Sequence, residues 1–382
     1  MDKIRVIFVT TYPKSGDGIA HYSRYLLGEL SRIAHINLFC FFWRANNKFF
    51  KEIRAFSSLI VHYLAIKKIN PDVIHIQFTT ELYPKFFFLI FLLLLKTLRI
   101  PLIITQHEVN IEKRFFQIRT LFYEKSLYKL ADVIIVHSEF ARNQFKLKGI
   151  EENHIITLPH GVHSTPLVDK FQSRDMIEID HEAKVILFLG FVLPHKGIEY
   201  VIAALPNIIQ RFPKTLFIVA GETKDVGYLQ ALKKLVEEQD LHMNVKFTGY
   251  VPEDQLNIYL SSADVVALPY SSITQSGILP LAIGAGIPVV ASAVGGLKEV
   301  LKKHFVGLLV PPTDVEKITQ AVVKLLSNAS LYQLIIKNEL NLAKQWSWKN
   351  VSKNHVLIYR HLARFKKLQS SQIPRQRLRQ RL

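Results

Sequence analysis

The chain has 382 residues, with 49 Lys and Arg against 31 Asp and Glu, a formal net charge of +18 and a single cysteine. That length and a 49% hydrophobic content suit a globular protein of two ordinary domains. Cys40 alone forms neither an intramolecular disulfide nor a multi-cysteine zinc cluster, which excludes a disulfide scaffold and points to a reducing, cytoplasmic compartment.

The opening "DKIRVIFVTTYP" reads as a strand and lacks the basic, apolar and small-residue order of an export signal. Short Val- and Ile-rich runs then recur, each followed by a segment of helical character, the alternation expected of a parallel sheet covered on both faces. In the first half they are "IRVIFVTTY", "VIHIQF", "PLIITQHEV", "VIIVHS" and "HIITLPHG". In the second half they are "KVILFLGFV", "TLFIVAG", "NVKFTGYV", "VVALPY", "IPVVAS" and "VGLLVPP". The fold class expected is α/β, with two doubly wound Rossmann-like domains, whose ligands bind on loops beyond the carboxyl ends of the strands.

The first such loop, "YPKSGDGIAHYSRYLLGEL", has Gly16 and Gly18 ahead of a helix starting near Ile19. Backbone N–H groups there suit a phosphate, and a tight strand-to-helix turn accounts for the glycines equally well. Farther on, "YPKFFFLIFLLLLKTLRI" at 83–100 falls where a doubly wound fold needs a helix. Its ten-residue apolar run is too short to span a bilayer, which takes about 20 residues. It reads either as a buried helix or as one resting in a membrane surface. In "IITQHEVN", His107 follows an apolar strand, placed to donate a hydrogen bond to a sugar hydroxyl or to stabilise developing charge; a structural role is the competing reading.

Residues 163–184 are polar and aperiodic and contain Pro166, so they read as a linker with the domain boundary near residue 170. The expected domains are 1–170 and 171–349, with a final helix at about 350–365 packing back on the first domain and a mobile basic tail at 366–382. The end of the chain from Arg364 holds seven Lys or Arg and no acid. In the second half, Gly190 ends a strand in "FLGFVLPHKG", and Lys196 with Gly197 opens a helix, a flexible cation suited to a diphosphate or, alternatively, a solvated helix-start lysine.

These segments, followed by "FIVAGET" (217–223), "NVKFTGYVPEDQLNIYLSSADVVALPY" (244–270), "SSITQSGILPLAIGAGIPVVAS" (271–292), "VGGLKEVL" and "VGLLVPPTD", together resemble the family 4 glycosyltransferases of GT-B fold. The resemblance runs from the first strand to about Phe365. It implies two domains facing across a cleft, the first for an acceptor and the second for a nucleotide-sugar donor. It also implies metal-independent transfer to an acceptor hydroxyl with retention of configuration, and no cofactor. Residue by residue, Gly18 matches the glycine loop near the donor phosphate, His107 the active-site histidine and Lys196 the phosphate-binding lysine. Gly190, Gly197 and Gly221 fall on donor-side motifs.

Two departures matter. Phe191 stands where the family commonly has arginine, and the usual pair of glutamates falls on Ile273 and Leu281, or on Thr274 and Ala282 with a shift of one. In their place "TQSG" offers Thr274, Gln275, Ser276 and Gly277, as in a branch of the family with "QSG" instead of the acidic pattern. Neutral hydrogen bonds contribute about 0.5–1.5 kcal/mol against about 1.5–3 for charged ones, so the exchange weakens donor binding without forbidding it. The implied partners are a nucleotide-sugar, an acceptor glycan or lipid-linked sugar of bacterial surface polysaccharide or glycolipid synthesis, and an anionic membrane surface on the inner face. The rival readings are another GT-B enzyme such as a nucleotide-sugar epimerase, an inactive homologue, and a nucleic-acid-binding protein, the last motivated by charge without a recognition motif.

Overall fold

A computed structural model describes residues 3–11, 18–40, 48–79, 85–108, 118–163, 168–223 and 225–370. The chain divides into two compact units, Met1–Gly161 with Trp348–Leu382, and Val162–Ser347. Each unit is built on a six-stranded parallel sheet. These are two doubly wound α/β domains.

In the first unit the strands are β1 (Arg5–Thr10), β2 (His35–Cys40), β3 (Val73–Phe78), β4 (Leu102–Gln106), β5 (Val133–Val136) and β6 (Ile155–Thr157). Their order is β2-β1-β3-β4-β5-β6. The interleaved helices are α1 (Gly18–Ile33), α2 (Lys48–Ile69), α3 (Lys85–Thr97), α4 (Ile118–Leu130) and α5 (Glu139–Leu147). Successive strand side chains point to opposite faces, which explains why nearly every position of β1, β3, β4 and β5 is buried. Ile7, Val9, Ile104 and Ile134 join one core with Phe88, Phe91, Leu92 and Leu95 of α3. Val6, Phe8, Ile103 and Ile135 join another with Tyr22 and Leu26 of α1.

α3 is therefore a core helix along its Phe88, Phe91, Leu92 and Leu95 stripe, spaced as a helix face requires, while Leu93 on the opposite side is 51% exposed. Among the described residues, no helix is long and apolar enough to cross a membrane. β2 is absent from the strands expected above. It is an edge strand, half-exposed along its length, and His35 and Asn37 interrupt the apolar run that marks the inner strands.

The second unit contains α6 (Lys170–Met176), β7 (Lys184–Leu189), α7 (Ile198–Arg211), β8 (Thr215–Ala220), α8 (Val226–Glu238), β9 (Val245–Gly249), α9 (Leu256–Ser262) and β10 (Val265–Leu268). It continues through α10 (Ile278–Ala285), β11 (Val289–Ser292), α11 (Gly295–His304), β12 (Gly307–Val310), α12 (Val315–Ser327) and α13 (Ala329–Gln345). The strand order is β12-β11-β10-β7-β8-β9, so the chain reverses direction across the sheet between β7 and β10.

The segment 163–184, expected as a linker, contains α6. Asp169 caps it by accepting from the N–H groups of Phe171 and Gln172. Its Arg174 is buried and donates to Asp264 (2.9 Å) and to the Ser262 carbonyl (3.1 Å), while Lys170 meets the same Asp264 at 2.5 Å. A buried ion pair anchors this polar stretch, which hydrophobic periodicity does not reveal.

The last helix, α14 (Trp348–Ser370), reaches beyond residue 365, so 366–370 are helical rather than part of a tail. The rest of the expected tail, 371–382, and Gly16 of the first glycine loop lie outside the described residues. α14 belongs to the first unit, where Trp348, Val351, Val356 and Tyr359 share the core of α1.

Candidate active site

In open parallel sheets a ligand crevice forms where the strand order reverses, outside the carboxyl ends of the strands. In the second unit that point lies between β7 and β10, and the loops following these two strands interlock there. Val192 bridges Thr223 beyond β8, and the Ser271 N–H donates to the His195 carbonyl at 3.0 Å. Pro194–Lys196 form one 3-10 turn that delivers the chain to α7 through Gly197.

Gly197 has φ +67, and a Cβ there would sit 2.1 Å from the Pro269 carbonyl oxygen. A Cβ on Gly221 would lie 1.8 Å from the carbonyl oxygen of Gly190, itself at φ +120. Close backbone packing thus requires glycine at these positions whatever ligand the loops meet. Gly190 also faces Ile278 at the start of α10, which brings the β7 loop to "TQSG".

The Lys196 ammonium lies 4.1 Å from the centre of the buried Tyr270 ring. A cation over an aromatic face gains roughly 0.5–2 kcal/mol and is held in one place rather than swinging on its stem. Burial pushes the Tyr270 hydroxyl up to about 12, and a hydrogen bond with Ser276 partly offsets this. Ser276 is buried and also accepts from the Ile278 N–H at 3.2 Å. The Thr274 carbonyl accepts from Gly296 N–H at 3.1 Å, tying the same loop to α11. Gln275 is half-buried between them, Gly277 is the exposed N-cap of α10, and Phe191 is 40% exposed. Lys196, Gly190, Gly197, Gly221 and the 274–277 loop are therefore assembled at one place in the second unit.

His107 and Gly18 lie in the first unit. Gly18 begins α1, with open space where a Cβ would be. His107 follows β4 and is partly exposed, and its ring packs edge-on against Tyr22 of α1 at 4.7 Å and against His137 at 5.3 Å. His160 and Trp348 also surround Tyr22, at 5.1 and 5.0 Å. Burial, then the neighbouring His160, pushes His107 down to about 3. Burial likewise lowers His160 and His355 to about 4 and holds His75 and His137 well below their usual range. The imidazoles are neutral at physiological pH.

Five depressed histidines carry a stability consequence. The unfolded chain takes up protons as pH falls below 6.5, while in the folded unit His160 and His355 resist them until about pH 4, His107 until about pH 3, and His75 and His137 stay well below their usual range. The stability present above pH 6.5 is therefore lost as pH falls. The urea midpoint is expected to drop between pH 7 and pH 5; an unchanged midpoint would contradict the buried, neutral cluster.

Two family models match the chain: "Glycosyltransferase Family 4" over residues 15–165 and "Glycosyl transferases group 1" over residues 169–341. Together they take in most of its length. The chain belongs to glycosyltransferase family 4. An uncharacterized glycosyltransferase of Methanocaldococcus jannaschii is 31% identical over 62% of this chain and 61% of its own length. A GDP-mannose-dependent alpha-(1-6)-phosphatidylinositol monomannoside mannosyltransferase of Mycolicibacterium smegmatis is 29% identical over 52% of this chain and 54% of its own. The chain thus spans roughly half to three-fifths of the curated relatives it matches.

Among solved structures, the Anabaena protein HepE in complex with UDP shares the fold with TM-score 0.76 at 16% identity, covering 94% of this chain and 100% of that one. Sucrose-phosphate synthase from Thermosynechococcus elongatus does so with TM-score 0.73 at 20% identity, over 94% and 99%.

Tyr270 is the site residue that reading the sequence missed. It ends "VVALPY" as one more apolar residue after a strand, and only the adjacency of β7 and β10 places it under Lys196. Tyr270→Phe keeps that ring and loses the Ser276 hydrogen bond, so nucleotide-sugar affinity is expected to fall by about 0.5–1.5 kcal/mol, as read by calorimetric titration. Unchanged affinity would remove Ser276 from the account.

Proposed function

We propose that this family 4 glycosyltransferase moves a sugar from a nucleotide-sugar to an acceptor hydroxyl, with retention of configuration and without a metal. The observation that carries the reading is the Lys196 ammonium fixed over Tyr270 at the point where the second sheet reverses order. A cation held there before substrate arrives meets the charge that develops on a departing diphosphate at little reorganisation cost. Backbone N–H groups near Gly190, Gly197, Gly221 and Gly277, with Thr274, Gln275 and Ser276, would supply neutral contacts to the donor in place of the glutamates. Within the first unit, taken by itself, His107 would be the group that touches the sugar, and Gly18 at the start of α1 would leave room for a close ligand approach.

The relatives' names point toward a glycolipid acceptor, since several are named as mannosyltransferases of phosphatidylinositol or of its monomannoside. HepE has been solved with UDP and glucose. A formal charge of +18 suits peripheral attachment to an anionic inner leaflet. Co-sedimentation with anionic vesicles should weaken for a chain ending at Arg364; equal binding would remove the basic end from this account.

The test of function is incubation of the full chain with labelled UDP-, GDP- and ADP-sugars and a bacterial lipid extract, with and without EDTA. Transfer to lipid that survives EDTA and gives a product of unchanged anomeric configuration is expected. Inversion, or dependence on added metal, would contradict the mechanism, and failure with every donor would contradict the activity.

A further inference from the structure

β3 and β4 run side by side with His75 opposite Ile103 and Gln77 opposite Thr105. Alternation along the two strands puts His75, Gln77 and Thr105 on one face, the face that α1 and α14 cover. Three buried polar side chains in the middle of a parallel sheet call for a reason, since unpaired polar groups there cost stability.

The hydrogen bonds supply it. His107 Nε2 lies 2.8 Å from Gln77 Oε1, and Gln77 Nε2 lies 3.1 Å from His75 Nε2. His75 Nε2 is also 2.7 Å from Thr105 Oγ1, and His75 Nδ1 is 2.6 Å from the Tyr359 hydroxyl on α14.

With the Gln77 amide oriented as it lies, oxygen toward His107 and nitrogen toward His75, the chemistry of these groups sets their protons. An amide oxygen only accepts, so His107 donates from Nε2–H. An amide nitrogen only donates, so His75 accepts at Nε2, its one lone pair shared between the Thr105 hydroxyl at 2.7 Å and the longer Gln77 contact at 3.1 Å, and donates from Nδ1–H to Tyr359. His107 is left with a lone pair on Nδ1, which makes no hydrogen bond to any described residue.

We infer that Gln77 is a positioning residue which, backed by His75 and Tyr359, locks His107 in its Nε2–H tautomer and presents Nδ1 as an acceptor for a substrate hydroxyl. This rests on the reading of His107 as the group that touches the sugar, and it reverses the donor role expected from sequence. His107 receives a hydroxyl hydrogen bond rather than giving one, and protonation would abolish that capacity. The groups facing it are Tyr22 of α1, His137 beyond β5 and His160, with exposed Glu108 next in the chain.

The test uses the full chain labelled with 15N-histidine, with His107→Gln assigning the His107 signals. Imidazole correlation spectra are expected to show Nε2–H alone in the natural chain and a mixture of tautomers in Gln77→Leu. In Gln77→Leu, kcat should fall by about 10- to 100-fold with little change in KM for the nucleotide-sugar. Gln77→Glu, close to the natural shape should the leucine variant fail to fold, restores the acceptor and places a carboxylate beside the ring. That favours the imidazolium, so its kcat should fall toward acid between about pH 8 and pH 5 where the natural chain stays flat.

An Nδ1–H tautomer in the natural chain, or an unchanged spectrum in both Gln77 variants, would overturn the relay whatever the enzyme's activity. The stated tautomer with undiminished kcat in Gln77→Leu would leave the relay standing and overturn the substrate contact. Absence of transfer in the natural chain itself would count against the proposed function, with the spectra still deciding the relay.

Discussion

Lys196→Ala is expected to lower the rate of sugar transfer by about 10²- to 10³-fold, the loss typical when one preorganised group that stabilises developing charge is removed. Tyr270 holds the ammonium at 4.1 Å, and the turn that carries it is pinned by Gly197 against Pro269 and by the His195 carbonyl bonded to Ser271. Lys196→Arg should recover only part of the rate, since a planar guanidinium stacks on the tyrosine in a different geometry. Initial rates measured with saturating donor would settle it, and a Lys196→Ala rate within about threefold of the natural chain would remove Lys196 from the chemistry.

Asp264→Ala is expected to destabilise the second unit by about 3–5 kcal/mol, the usual cost of stripping one partner from a buried ion pair. Asp264 accepts from the Val185 N–H at 2.7 Å and from Arg174 at 2.9 Å, and it meets Lys170 at 2.5 Å. Its carbonyl also accepts from the Tyr332 hydroxyl at 2.8 Å. Removing the carboxylate strands Arg174, which is 3% exposed, as an uncompensated buried charge. Chemical denaturation followed by circular dichroism reads the loss, and a change below about 1 kcal/mol would show that the pair contributes nothing net.

These two residues mark what the sequence discloses and what it hides. Lys196 and Gly197 could be singled out because a strand, a cation and a glycine lie within a few residues of one another. The inner strands were equally visible, since parallel strands covered on both faces become unbroken Val and Ile runs such as "VILFL" and "LFIVA". Asp264 and Arg174 were invisible because their partnership joins two segments distant in sequence, and Arg174 lies in a stretch whose polarity suggested a linker. Tyr270 became a site residue only through the reversal of strand order that sets β10 beside β7. The ring of Tyr22, His137 and His160 around His107 gathers side chains from α1 and from beyond β5 and β6. Of fifteen histidines, nothing local to each tells which ones meet.

The most direct test of the central claim, a nucleotide-sugar site in the second unit built on Lys196, is thermal unfolding of the full chain against UDP, GDP, ADP, their sugar conjugates and a DNA duplex. Lys196→Ala runs in parallel. A ligand at 100 times its Kd stabilises by about 2.7 kcal/mol. The account predicts stabilisation by one nucleotide and its sugar conjugate, lost or sharply reduced in Lys196→Ala. Stabilisation by DNA alone, or by a nucleotide equally well without the lysine, would contradict it.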